Sequence, residues 1–137
     1  MKYFIAAIAL IYSSASYSQV YKYKAFNTYF KYFDETGKAI RTSDSISVDF
    51  LVVFNFPKNR INTYGKQEGN MDLISTLEDT TDQDGNVERI YTGIDQFGEK
   101  CEVHMKFYKA GYESDCILYY YYATPGVSMV YKLKKDL

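Results

Sequence analysis

Cys101-Glu102-Val103-His104-Met105-Lys106-Phe107-Tyr108 is the stretch on which the fold class turns. Cys101, Val103, Met105 and Phe107 are apolar, and Glu102, His104 and Lys106 between them are polar. A period of two belongs to a β-strand with one face in a core and the other in water. The same alternation runs through Ile46-Val48-Phe50-Val52-Phe54 and through Val127-Met129-Tyr131-Leu133. No stretch after Ser18 carries the three-to-four spacing of an amphipathic helix. The segment from Asp34 to Asp44 reads as a loop with at most a short helical turn.

The punctuation between these runs fits hairpins. Pro57-Lys58-Asn59 fixes φ at proline and offers asparagine a left-handed position. Asp84-Gly85 is a two-residue hairpin signal, Asp95-Gln96-Phe97-Gly98 reads as a type I turn, and Pro125-Gly126 as a type II turn. The spacing predicts strands near residues 20–33, 45–55, 60–64, 70–78, 87–95, 100–108, 115–123 and 127–134. Strands in that order with short links make an antiparallel eight-strand meander. Its two edges, Val20-Tyr21-Lys22-Tyr23 and Val127 to Leu133, would be aromatic or apolar and exposed. Closure removes such edges, so the all-β chain is expected to form an up-and-down β-barrel with its first and last strands paired. A two-sheet β-sandwich is the alternative. Tyr21 and Tyr23 lead one face of the first strand, whereas Phe26, Phe30 and Tyr32 lead the other. That change of phase near Ala25 predicts a bulge, the bend that a barrel corner needs.

The 137 residues suit one domain, and 47% hydrophobic with 24% charged residues is too apolar for disorder. Two prolines and two cysteines exclude a collagen-like chain and a disulfide-dense miniprotein. The net charge of −1 gives no broad basic field for nucleic acid. Lys22 and Lys24 among aromatic residues read as outward positions of a strand, not as a stacking surface for single strands. Acids crowd the chain from Glu68 to Glu102, and bases from Lys22 to Arg41, so a closed sheet would have an acidic and a basic flank. Met1-Lys2, the apolar run Tyr3–Tyr12 and the small residues Ser13–Ser18 have the layout of a secretory signal peptide. The expected organisation is a leader over 1–18 and one β-barrel domain over 19–137, secreted or periplasmic. The leader's apolar run is about half the ~20 residues a bilayer span needs. No membrane span is expected in the mature chain, since its outward positions include Asp49, Glu102, Lys106 and Lys132.

Candidate chemistry is sparse. Asp79 to Asn86 is rich in carboxylates, but an EF-hand alignment on Gly85 puts Thr80 at the first position and Tyr91 at the twelfth. The segment reads as a solvated hairpin loop, and no metal or cofactor is expected. Cys101 and Cys116 would sit about five strand positions apart, ~16 Å, which is too far for a disulfide. Two separate buried thiols are expected. Any nucleophile–histidine–acid relay would have to use His104, the one histidine, which reads as an exposed strand residue. No Gly-x-Ser-x-Gly elbow is present, and the chain is not expected to be an enzyme. Tyr119-Tyr120-Tyr121-Tyr122 is the most distinctive run. Alternation sends two rings to each face, and tyrosine buries a large ring while its hydroxyl seeks a partner. Tyr29, Tyr91, Met105, Tyr119 and Tyr121 are the candidate ligand-binding residues, for a small apolar or aromatic ligand held by the barrel. The alternative is a non-enzymatic interaction or inhibitor module, binding an envelope or extracellular protein through its loops and acidic flank. The Tyr119–Tyr122 strand is expected to be paired on both sides, because an uncharged aromatic edge would aggregate.

Eight short antiparallel strands in this order resemble the calycin barrels, which include the lipocalins and avidin-like proteins. The resemblance is one of architecture: the lipocalin Gly-x-Trp and the avidin-like tryptophans are absent, since the chain has no Trp. Asn59-Arg60-Ile61-Asn62-Thr63-Tyr64, followed by the Asp-Gly hairpin and Asp95-Gln96-Phe97-Gly98, is similar to small secreted bacterial β-proteins without assigned activity. That likeness implies no functional residues.

Overall fold

Period-two alternation becomes nine strands in the computed structural model, which describes residues 19–66, 68–109 and 111–136. The leader expected over 1–18 lies outside the described residues. The strands are β1 (Val20–Phe33), β2 (Ala39–Thr42), β3 (Ile46–Asn55), β4 (Arg60–Tyr64), β5 (Gly69–Thr81), β6 (Val87–Asp95), β7 (Lys100–Phe107), β8 (Cys116–Tyr122) and β9 (Val127–Lys135). From β3 to β9 each strand pairs antiparallel with the next, β3 pairs with β1, and β1 pairs with β9. Eight strands therefore close into an up-and-down barrel, with β2 as one extra strand. This excludes the sandwich and is compatible with calycin-like architecture. As expected, β8 is paired on both sides, with β7 and β9.

The extra strand corrects the expectation of a loop over Asp34 to Asp44. Lys31 pairs with Thr42 and Thr28 with Ile46, so β2 and β3 lie end to end along the same side of β1. All four β2 residues are exposed, so the segment carries no apolar stripe to announce a strand. The phase change in β1 is a bulge: the register slips between Ala25 and Asn27 against both β3 and β9. Tyr23 and Ala25 point into the barrel before it. Thr28, Phe30 and Tyr32 share the inner face with Tyr131, Met129 and Val127 after it. Phe26 is the extra residue, and its ring lies 5.2 Å from the Lys134 ammonium.

Three hairpins use one device. In Asp34–Lys38, Asp82–Asn86 and Asp95–Glu99, the aspartate carboxylate accepts the backbone N–H groups two and four residues on, each at 2.9 Å. The fourth residue of each is a glycine at φ +84 or +85, where an L side chain would be strained. The Asp84-Gly85 turn is thus longer than a two-residue link. Asp82 closes it, and Asp82 spends its carboxylate on Asp84 and Asn86. These hydrogen bonds, from the Thr36 hydroxyl first at Asp34 and from the Asn86 backbone first at Asp82, hold both carboxyls below their ordinary range. Asn59 takes the left-handed position expected after Pro57, at φ 51. At the Pro125-Gly126 turn the Thr124–Pro125 bond is cis, and the Gly126 N–H donates to the Tyr122 carbonyl at 3.0 Å. Gly126 has φ +89, and a Cβ there would lie 2.9 Å from the Phe33 carbonyl oxygen.

The waist of the barrel is filled by Ala25, Val52, Ile61, Met71, Val103, Met105, Cys116, Leu118 and Leu133, all buried. An eight-strand barrel is just wide enough to be filled in this way by its own side chains. Full burial of each large aliphatic side chain contributes about 1.5–3 kcal/mol. The outer wall carries Lys24–Asp49 at 3.1 Å and Arg60–Asp72 at 2.7 Å, exposed pairs that add little stability. The free thiols of Cys101 and Cys116 are both buried, as expected. Among the described residues no helix is long and apolar enough to cross a membrane.

Candidate functional site

The barrel has an aliphatic waist and an aromatic hollow at each end. Parity on β8 decides which tyrosines reach them. Cys116 and Leu118 are buried in the core, so Tyr120 and Tyr122 point inward after them, and Tyr119 and Tyr121 point outward. At this end of the barrel Tyr120, Tyr122, Met129 and Tyr131 line a hollow of about 290 Å³. Ile61 and Met71 form part of its apolar lining, and Asp95, Glu68 and Asn70 its polar part. The Tyr120 and Tyr131 rings meet edge to face at 5.9 Å, and Phe50 stands against Tyr131 at 5.7 Å. Tyr122 donates its hydroxyl proton to Asp95 at 2.9 Å. Burial pushes the Tyr120, Tyr122 and Tyr131 hydroxyls above the ordinary tyrosine range, so all three stay protonated near neutrality. At Tyr122 the Asp95 carboxylate adds to the effect.

The opposite end is built differently. Here β5 runs past the start of β4, whose first residue Arg60 pairs with Asp72, so residues after Leu73 pair only with β6. The β5–β6 hairpin stands above this rim and carries Arg89 and Tyr91 on its inner face. Tyr21, Tyr23, Phe56, Phe107 and Arg89 border a hollow of about 270 Å³. Tyr23 meets Phe54 edge to face at 5.4 Å, and Phe54 meets Phe107 at 5.7 Å. Burial also raises the Tyr91 hydroxyl, and the Arg89 charge pulls part of that shift back.

The five candidate residues are not brought together. Tyr91 faces the Arg89 end of the interior, and Met105 is sealed in the waist at 0% exposure. Tyr29 pairs with Val130 on the outer wall. Tyr119 and Tyr121 are also outside, with Tyr119 stacked on His104 at 4.3 Å and Tyr121 edge-on to Phe33 at 5.1 Å. A tyrosine run has the right period but no mark of phase, so the sequence does not single out Tyr120, Tyr122 and Asp95. The buried Leu118, two residues before Tyr120, was the signal that could have found them.

His104 is not the exposed residue expected. Its side chain is 14% exposed. It lies between Glu102, 3.2 Å from Nε2, and the Tyr119 hydroxyl, 2.9 Å from Nδ1. Burial, then the charges of Glu88 and Glu102, raise the Tyr119 hydroxyl, which makes it a weaker source of a nucleophilic oxygen. Among the described residues no group of three or more His, Cys, Asp or Glu side chains is placed to hold a metal ion. A separate outer hollow of about 360 Å³ is lined by Ile74, Ile94, Tyr121 and Ala123.

Compared with known proteins, the chain matches no family model, no curated protein and no solved structure.

Proposed function

We propose that this barrel is an exported binding protein that takes a small apolar or aromatic molecule in the hollow of Tyr120, Tyr122 and Tyr131. One observation carries the reading. Three inward tyrosines surround a hollow of about 290 Å³ at the end of a barrel whose waist is otherwise filled. Ligand sites are concave and mostly apolar, with a few placed polar groups that set orientation. Met129, Ile61 and Met71 supply the apolar part here, and the tyrosine hydroxyls and Asn70 the polar part. The volume sits at the bottom of the ~300–1,000 Å³ range of such sites, so the ligand is compact. Export rests on the leader pattern of Met1 to Ser18.

N-phenyl-1-naphthylamine, a neutral aromatic dye that brightens in apolar surroundings, tests the reading. Saturable brightening is expected with the wild-type protein and loss of at least tenfold in affinity with Met129→Arg, which places a charge in the hollow. Equal binding to both proteins, with both folded by circular dichroism, would overturn it. A second reading, docking of an envelope or extracellular protein, is favoured by Ile74, which is 59% exposed beside Ile94 and Tyr121 in the outer hollow. Ile74→Lys would abolish capture of such a partner and leave dye binding intact.

A further inference from the structure

We propose that the opposite hollow is a second binding site, selective for a small carboxylate with an apolar body, and that Arg89 is its anchor. The proposal is independent of the tyrosine-lined site.

An inward arginine at a barrel end needs a reason. A guanidinium taken from water costs free energy unless its donors are used. Arg89 is only partly served. Its side chain is 30% exposed, and the nearest carboxylate oxygen, on Asp79, is 3.6 Å from Nε. That distance is too long for a hydrogen bond. Nε is buried and has no hydrogen-bond partner among the described residues. The group rests on the Phe56 ring, whose centroid lies 5.3 Å from the guanidinium carbon, with the Tyr91 hydroxyl beside it as its other polar neighbour. A guanidinium resting on an aromatic face is oriented without spending its donors on that face.

The surroundings select the ligand. Tyr21, Tyr23, Phe56 and Phe107 give the hollow aromatic walls, so the body of the guest must be apolar. The planar fork of Arg89 matches a carboxylate, which can accept two parallel hydrogen bonds. Three other charges stand near. Lys135 lines the same hollow and adds positive charge. Asp115 also lines it, but one oxygen of its carboxylate accepts the Lys135 backbone N–H at 2.8 Å. Asp79 is the competitor for Arg89, and its side chain is 54% exposed, so it can turn to water when a ligand carboxylate takes its place. The long Asp79 contact is then a resting partner that a better acceptor displaces.

Benzoate and its neutral counterpart benzyl alcohol test the assignment. In wild-type protein, saturable benzoate binding is expected to shift the Arg89 side-chain Nε–Hε resonance and the amides of Val87 and Phe107, leaving those of Phe97 and Tyr122 in place. Benzyl alcohol is expected to bind ~10–100-fold more weakly, the difference made by hydrogen bonds to a charged group. Arg89→Gln should lose the same factor for benzoate and little for benzyl alcohol, and Arg89→Lys should recover part of it. The proposal is overturned if benzoate leaves the Arg89 resonance unmoved, if benzyl alcohol binds as tightly, or if a folded Arg89→Gln keeps wild-type affinity. Should Arg89→Gln fail to fold, the wild-type resonances still decide.

Discussion

The two ends of the barrel share aromatic lining and differ in charge. At one end three inward tyrosine hydroxyls and the Asp95 carboxylate form the polar part. At the other a single guanidinium lies on Phe56. The difference follows from where β4 begins. β4 is only five residues long and starts at Arg60, so β5 past Leu73 pairs with β6 alone, and that hairpin carries Arg89 over an end that would otherwise be plain aromatic core. A closed sheet gives both ends the same inside-outside alternation. Unequal strand lengths decide which inward residues finish in solvent, and so what each end can hold.

Both ends rest on one shared waist, and damage to it should cost the most stability. Leu118 is fully buried between the ends. Leu118→Ala should cost about 2–5 kcal/mol in urea unfolding, with both ends lost in one transition. Two separable transitions would mean that the ends are independent. A middle-sized effect is local. Tyr122→Phe removes the hydroxyl bonded to Asp95, and should cost about 1–2 kcal/mol, since the pair is only partly buried. Faster hydrogen exchange is expected at Phe97 and Glu99, with Val87 and Tyr108 unchanged. Exchange that rises equally at both ends would erase the distinction.

The smallest effect uses the two thiols. Burial pushes the Cys101 thiol up to about 11, with the Tyr122 hydroxyl opposing the shift, and raises Cys116 further. A raised thiol holds its proton longer, so the reactive thiolate appears only as pH climbs from about 9 toward 11. Iodoacetamide at pH 8 should label Cys101 roughly a hundredfold more slowly than an unperturbed thiol, and Cys116 only after unfolding. The labelling of Cys101 should accelerate up to about pH 11. By the same linkage the thiol's contribution to stability is whole below about pH 9 and declines as pH rises through 11. Equal labelling of both cysteines would show that the waist does not seal one of them.

Much of this architecture can be read from the chain. Alternation from Cys101 to Phe107 and from Val127 to Leu133 gives the strands, and the phase change at Ala25 gives the bulge. Other features leave no local trace. Ala39-Ile40-Arg41-Thr42 is a strand because β1 is long enough to pair with it, and its own residues bury nothing. The far half of β5 hides behind register shifts after Leu73 and Thr76, which break the alternation just where the arm leaves the barrel. The candidate site was the least legible part. Four identical residues conceal parity, so the sequence points to Tyr119 and Tyr121 where Tyr120 and Tyr122 face inward. Arg89 looks like any surface arginine until β7 pairs it opposite Met105.

The seam between β1 and β9 has a kinetic consequence. Every other junction of the ring joins strands close along the chain, consecutive ones except for β1 and β3, which are separated only by β2. Thr28 Oγ1, by contrast, donates to the Val130 carbonyl at 2.9 Å across a sequence separation of 102 residues. Closing so long a loop carries the greatest entropy loss of any step, while the aspartate-glycine hairpins can form early and nearby. Assembly should therefore resemble a curling ribbon whose last event is the meeting of its ends, and both hollows come into being only at that moment.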